Sequence, residues 1–268
     1  MRWAISWPRS PTGSWPAEAM GDLPVQVEGF LVVFARLGAM LMVLPAFSDD
    51  AVPGRIRLLV ALGISLGLFG MLGPQVPPTG NAVSLAATAF AELLTGLALG
   101  VIVRIMFLAI TIAGSIISLQ TGLTSAVMPD AALGGQLPVI AKLVSVAAVI
   151  VCFSLGVHHL WIAAMVNSYL VFPVGGLPPA ADFAQLAIAT TTRSMELGFS
   201  LAAPLVVYGI VFNVALGLAA RLAPTIQVFF IAQPLNILLG LALFGATLGA
   251  VLMGFAMAMA EWVQQGWI

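Results

Sequence analysis

Seven charged side chains, Arg36, Glu92, Arg104, Lys142, Arg193, Glu196 and Glu261, lie inside or at the edge of long apolar runs. Groups of this kind can do three things in such a setting. They can pair inside the protein, relay a proton or ion along a transport path, or meet the charges of another subunit. At the centre of a membrane helix each costs roughly 2.5–3.5 kcal/mol on insertion scales, so each calls for a partner. Arg193 and Glu196 are three apart and can pair on one helix face. Glu92 and Arg104 are separated by about 18 Å along a straight helix, so their partners must come from elsewhere. From the residues alone all three readings stay open.

A second constellation runs from Asn213 to Phe229. It begins inside an apolar segment and then places Gly217, Arg221 and Pro224 where lipid would favour Leu. An amide and a guanidinium there are costly unless protein or water pairs them. Helix breakers at membrane depth are tolerated only where protein or a cavity satisfies the freed backbone. The stretch therefore predicts polar residues that face partners rather than lipid.

Other chemistries find no support. His158 and His159 are adjacent, so on a helix they point about 100° apart and do not make a two-ligand metal site. Cys152 is the single cysteine and reads as a small buried hydrophobe. No G-x-x-x-x-G-K-S/T phosphate loop is present, so the chain does not itself hydrolyse ATP. Ser115 and Ser154 lack a G-x-S-x-G elbow. The formal net charge of -1 excludes an electrostatic nucleic-acid binder.

The elements that must position these residues follow from composition. With 61% hydrophobic residues, 7% charged and a mean hydropathy of +1.12, the chain is a polytopic membrane protein. Six apolar blocks run from about Val27 to Phe47, Ile56 to Leu72, Ala82 to Leu119, Leu137 to Phe172, Phe183 to Leu218 and Leu235 to Ile268. Pro/Gly clusters at Pro45–Pro53, Pro74–Pro78, Gly122–Pro138, Pro173–Pro179 and Ala223–Pro234 separate them. A span needs about 20 residues. The first two blocks fit, but the last four run about 34–38 residues, well over 45 Å if helical. Each must tilt, break into a hairpin or leave the bilayer, and Pro204 predicts a kink in the fifth. Gly63-xxx-Gly67, Gly96-xxx-Gly100 and Gly245-xxx-Gly249 let backbones approach closely, within the chain or against other subunits. Lys and Arg in the loops are nearly balanced between the two sides, so they do not fix orientation. Residues 1–26, with Arg2, Arg9, Pro8, Pro11, Pro16 and three tryptophans (Trp3, Trp7, Trp15), read as a disordered tail without the apolar core of a signal peptide. Met20 is an alternative start, which N-terminal sequencing of the native protein would test. Residues 27–268 read as a single helical domain.

The ordered polar and small residues resemble the FliR family of flagellar export-gate proteins and its injectisome relatives. The resemblance runs from about Phe30 to Gly249. It includes Ala35-Arg36, Pro45, Val52-Pro53-x-Arg55-x-Arg57 and Glu92-xxx-Gly96-xxx-Gly100. It continues through Ala113-Gly114-xx-Ile117-xx-Gln120-x-Gly122-Leu123, His159-Leu160-Trp161 and Pro173-x-Gly175. Pro204, Asn213, Ala215-Leu216-Gly217, Arg221, Ala223-Pro224, Phe229, Pro234 and Gly240 complete it.

The resemblance implies an all-α, membrane-associated fold of long kinked helices in hairpins, with about six hydrophobic segments. It implies a non-enzymatic subunit of a gated conduit for unfolded rod, hook and filament proteins. The place would be the bacterial inner membrane at the flagellar basal body, and no cofactor is implied. The implied partners are FliP-like and FliQ-like gate subunits and an FlhB-like switch protein. Gln120, Gly122, Leu123, Val127, Met128 and Pro129 would belong to a pore plug loop spanning Gly122–Pro138. Its glycines permit backbone rearrangement, and Leu123, Val127 and Met128 could fill a closed pore. Relatives tend to carry Asp-Pro where this chain has Met128-Pro129-Asp130. Arg36, Glu92, Gly96, Gly100, Arg104, Asn213, Gly217, Arg221 and Pro224 read as assembly and structural determinants. Arg221 would satisfy carbonyls freed near the end of block five, and Pro224 would stop that helix. Two other readings stand beside this one: an injectisome subunit of the same fold, and a small-molecule or ion transporter with paired broken helices around a midplane site.

Overall fold

The computed structural model describes residues 23–45, 47, 52–130, 135–176, 179–222 and 227–265. Seven α-helices account for most of them: α1 (Leu23–Val43), α2 (Gly54–Leu72), α3 (Ala82–Gln120), α4 (Val139–Ser154), α5 (Val157–Val171), α6 (Ala180–Leu222) and α7 (Val228–Gln265). A 3-10 turn, Gly73–Gln75, follows α2, and a two-stranded ribbon, β1 (Val127–Asp130) and β2 (Gly135–Pro138), lies between α3 and α4. Met20 and Pro224 lie outside the described residues. The first helix opens at Leu23, a turn before the expected edge of block one.

Helix α3 is the spine. It starts at a reciprocal cap: Ser84 N–H donates to Asn81 Oδ1 over 2.8 Å, and Asn81 N–H donates to Ser84 Oγ over 3.4 Å. Small residues then let neighbours approach from several sides. A Cβ added at Gly96 would collide with the Arg36 carbonyl of α1, and one at Gly100 would come within 3.0 Å of the Met40 carbonyl. One at Gly114 would lie 2.6 Å from Ala141 Cα of α4. From α6, Gly198 sits against the Ala109 carbonyl, 2.9 Å from the position its Cβ would take. Phe107 meets Phe255 of α7 edge-on, their centroids 5.0 Å apart. The Gly96-xxx-Gly100 motif therefore packs inside the chain. Around Gly63, Gly67, Gly245 and Gly249 an added Cβ would meet nothing within 4 Å, so those two motifs face outward.

The over-long blocks resolve in two ways. Block four breaks: α4 and α5 bend by 78° around Leu155–Gly156, and Gly156 takes a left-handed φ of 75° there. Blocks three, five and six stay whole as helices of 39, 43 and 38 residues. At about 1.5 Å per residue each is close to twice the roughly 30 Å hydrocarbon thickness. Among the described residues five helices are long and apolar enough to cross a membrane, or six if the bent pair counts as one span. In α2, α6 and α7 only 17% of the most apolar stretch is buried within the chain, against 56% in α3. Those faces need lipid or other protein to cover them.

One expected break is shorter than predicted. The sequence reading placed it at Ala223–Pro234, but α7 already begins at Val228 and carries Pro234 inside it. Pro234 removes only the bond to the Phe230 carbonyl, and Phe230 is exposed. Pro204 is likewise carried inside α6. The ribbon was not foreseen in the segment expected to form the plug loop. Its register pairs Val127 with Pro138 and Pro129 with Gln136, which two strands tolerate because each has an unpaired edge.

Candidate functional site

The first site is an ion pair at the junction of α1, α3 and α5. Arg36 is 1% exposed and Glu92 0%. The guanidinium grips the carboxylate with both arms: Nε donates to Oε2 over 2.5 Å and Nη2 to Oε1 over 2.9 Å. Its remaining Nη1 donates to the Ser168 carbonyl over 3.2 Å, and its face lies 4.1 Å from the centre of the Tyr169 ring. Glu92 Oε1 also accepts the Gly175 N–H over 2.9 Å. Gly175 holds a φ of 82°, which turns that amide toward the carboxylate. Of the three readings of the intramembrane charges, Arg36 and Glu92 take the internal pair. The spacing of Glu92 and Arg104 required a partner for Glu92 from elsewhere in the fold, and Arg36, 56 positions away, supplies it.

The second site is where α3 stops. Gly122 has φ 75°. Gly122 N–H donates to the Leu119 carbonyl over 3.3 Å, and Leu123 N–H donates to the Ser118 carbonyl over 2.9 Å. This is the glycine-centred helix end in which bonds fold back on the last turn. The Gln120-x-Gly122-Leu123 motif thus has a local cause: it ends one helix and starts the ribbon's neck. The neck closes where Val139 N–H donates to the Ala126 carbonyl over 2.8 Å. Beyond it Val127, Met128 and Pro129 are exposed, while Leu123 is half-buried against the core. Asp130 is 6% exposed and accepts from Lys142 Nζ over 3.1 Å, tying the ribbon to the first turn of α4.

Pieces of α6 and α7 meet this helix end. Asn236 Nδ2 donates to the Gln120 carbonyl over 3.3 Å. Tyr208 of α6 donates its hydroxyl proton to Asn236 Oδ1 over 2.9 Å. Gly209 presses directly on the Gln120 side-chain amide, and its carbonyl accepts from Asn213 Nδ2 over 2.8 Å. Thr121 packs on Gly240, where a Cβ would lie 2.9 Å from Thr121 Cγ2. Gln120 and Gly122 belonged to one piece of the sequence pattern and Gly240 to another, and the fold brings them to one turn; Asn213 is exposed and bonds back to its own helix at Gly209. Tyr208, Gln233 and Asn236 were missed; Tyr208 and Asn236 were marked only by their place in apolar runs, and Gln233 lay in an expected break.

The remaining candidates are not drawn together. Arg104 is half-buried in α3 and makes no hydrogen bond or ion pair with the described residues. Gly217 is exposed, with nothing within 4 Å of an added Cβ. Arg221 is exposed at the last turn of α6 and reaches none of its described carbonyls. Near it in sequence Val214, Leu218, Leu222, Phe229 and Phe230 are all more than half exposed. Arg193 and Glu196 approach to 4.0 Å on an exposed face, a pair of little energetic weight. The His158 and His159 rings tilt against each other at 4.1 Å.

Fold and sites define a class: a polytopic helical membrane protein, centred on one over-long helix whose glycine-turned end carries a β-ribbon. The sequence profile described as bacterial export proteins, family 1, matches residues 27–262, and the chain belongs to that family. It is similar to the flagellar biosynthetic protein FliR of Caulobacter vibrioides, 39% identical over 229 residues that cover 85% of this chain and 91% of that one. The FliR of Escherichia coli is 32% identical over 213 residues, 79% of this chain and 80% of that one. The Yop proteins translocation protein T of Yersinia pestis is 24% identical over 210 residues, 77% and 80% of the two chains. The function lies in the flagellar type III export apparatus, and the injectisome alternative is the less favoured one.

Proposed function

We propose that this chain is a wall and plug of the flagellar export gate in the bacterial inner membrane. It assembles with FliP-like and FliQ-like subunits and an FlhB-like switch protein, and unfolded rod, hook and filament proteins are its cargo. The chain acts as a conduit rather than a catalyst. The observation that carries the reading is the ribbon at the end of α3. Val127 and Met128 are each 44% exposed on the first strand of a two-stranded ribbon that leaves the helical body through a glycine turn. Exposed apolar side chains on a ribbon rooted at a glycine turn suit a removable stopper, Met being adaptable in shape. The large uncovered faces of α6 and α7 support assembly into a larger body, because a lone chain would leave them to lipid over lengths no bilayer matches. Arg221, exposed among apolar neighbours, serves as a contact to another subunit.

The test is co-purification. The tagged full-length chain, extracted gently from its native membrane, is expected to carry two other small hydrophobic gate proteins. Isolation of the chain alone, in a membrane where those proteins are present, would contradict the proposal.

A further inference from the structure

The root of the ribbon is clasped by two helices that are far from it in sequence. The last carbonyls of α3 have no helical N–H to accept from, as at any helix end. The Gln120 carbonyl takes its partner from Asn236 instead. Asn236 is in turn held by Tyr208, whose hydroxyl lies 2.9 Å from Asn236 Oδ1 and 3.1 Å from the Asn236 carbonyl. A Cβ on Gly122 would come 2.7 Å from Gln233 Nε2 and 3.3 Å from Asn236 Nδ2. Gln233, Asn236 and Gly240 are spaced i, i+3, i+7 and so present one face of α7 to the Thr121–Gly122 turn. The link from Gly122 to Ser125 is itself bonded to the last turn of α3, through the Gly122 and Leu123 N–H groups and the Ser118 hydroxyl, and above it the neck is laddered. The root of the ribbon therefore moves only with the last turn of α3, and α7 lies across that turn.

We propose that Tyr208 and Asn236 form a latch that holds the ribbon's root in the closed position, released when α7 shifts off the Thr121–Gly122 turn. The inference rests on the reading of the ribbon as the plug. Both side chains are half-buried, so each bond is of ordinary strength and can be exchanged. Small separate bonds suit a latch better than the charged grip of Arg36 on Glu92. They let movement of the long exposed helices α6 and α7, which other subunits would touch, reach the plug directly.

The experiment uses the assembled export complex with the full-length chain, reconstituted in vesicles, and reads potassium efflux with no cargo present. Tyr208→Phe and Asn236→Leu are each expected to raise the leak about fivefold, the change in closed-to-open ratio when one net hydrogen bond is lost. Because both act on one chain of bonds, the double variant is expected to leak little more than the stronger single one. In a chain lacking Leu123–Met128 the same substitutions are expected to add nothing. Tyr208→Phe keeps the ring and its contact with Phe212, so it answers the question even if Asn236→Leu does not assemble. An unchanged leak in assembled Tyr208→Phe, beside a leaking deletion, would overturn the latch and leave the plug standing. A rise that persists in the deletion background would also overturn it. A deletion that does not leak removes the plug reading itself.

Discussion

Asn236 of α7 donates a hydrogen bond over 3.3 Å to the backbone carbonyl of Gln120, the last residue of α3, although the two are 116 positions apart. The bond joins the Pro234 region of the chain to the turn from which the ribbon departs. Local helix chemistry, tertiary packing and the proposed gate therefore share one small volume.

Gly122 is required there for two separable reasons, its φ of 75° and its closeness to Gln233. Gly122→Ala should lower stability by about 1–2 kcal/mol, mainly from the left-handed backbone. Gly122→Asn should cost less, because Asn tolerates that region. Thermal unfolding of the purified chain in detergent checks the order; equal losses would mean that the contact with Gln233 governs instead.

The Arg36–Glu92 pair predicts strong asymmetry between single and double changes. Arg36→Ala or Glu92→Ala alone should cost about 3–5 kcal/mol, since each strands a buried charge. Arg36→Met combined with Glu92→Leu should recover most of the loss. Protease resistance of the membrane-inserted chain reads this out. A double variant as damaged as the singles would show that the Ser168 and Gly175 contacts, not the charges, carry the junction.

Glycines with the same spacing should behave differently. Gly96→Ala places a methyl group on the Arg36 carbonyl and should destabilise the chain by about 1–3 kcal/mol through overpacking. Gly245→Ala, with open space around it, should leave the isolated chain unchanged and lower the yield of the assembled complex. Native gel analysis beside a melting curve separates the two effects; loss of intrinsic stability in Gly245→Ala would contradict the outward placement.

Arg221→Ala should reduce recovery of partner subunits more than it reduces expression, because the side chain lies exposed among apolar neighbours and reaches no described carbonyl of its own helix. Undiminished co-purification would remove Arg221 from the assembly surface.

Much of the helical layout was legible because long apolar runs and Pro/Gly clusters are local signals. Block three was placed to within a residue at each end: Ala82 and Gln120 bound the helix, set by the Asn81 cap and the Gly122 turn. The break at Gly156 was not legible, since one glycine in an apolar run is common and only its left-handed backbone distinguishes it. Pro234 misled for the opposite reason: a proline near the start of a helix costs one bond, and α7 absorbs it. The clasp was half legible. Gln120, Gly122 and Gly240 stood out as polar or small residues among apolar ones, but what joins the α3 end to α7 is tertiary. Tyr208 and Asn236 lie 28 positions apart on different helices. No spacing rule predicts such a pair. The transporter reading loses its footing on the same grounds, because among the described residues the one bent pair, α4 with α5, has no matching broken pair in the other half of the chain.

The central claim is that the ribbon closes a pore, and ion leak through the assembled complex tests it most directly. Vesicles carrying the complex with Leu123–Met128 deleted should pass potassium far faster than those carrying the intact chain, at equal complex content. An assembled deletion complex that holds its gradient as well as the intact one would contradict the account.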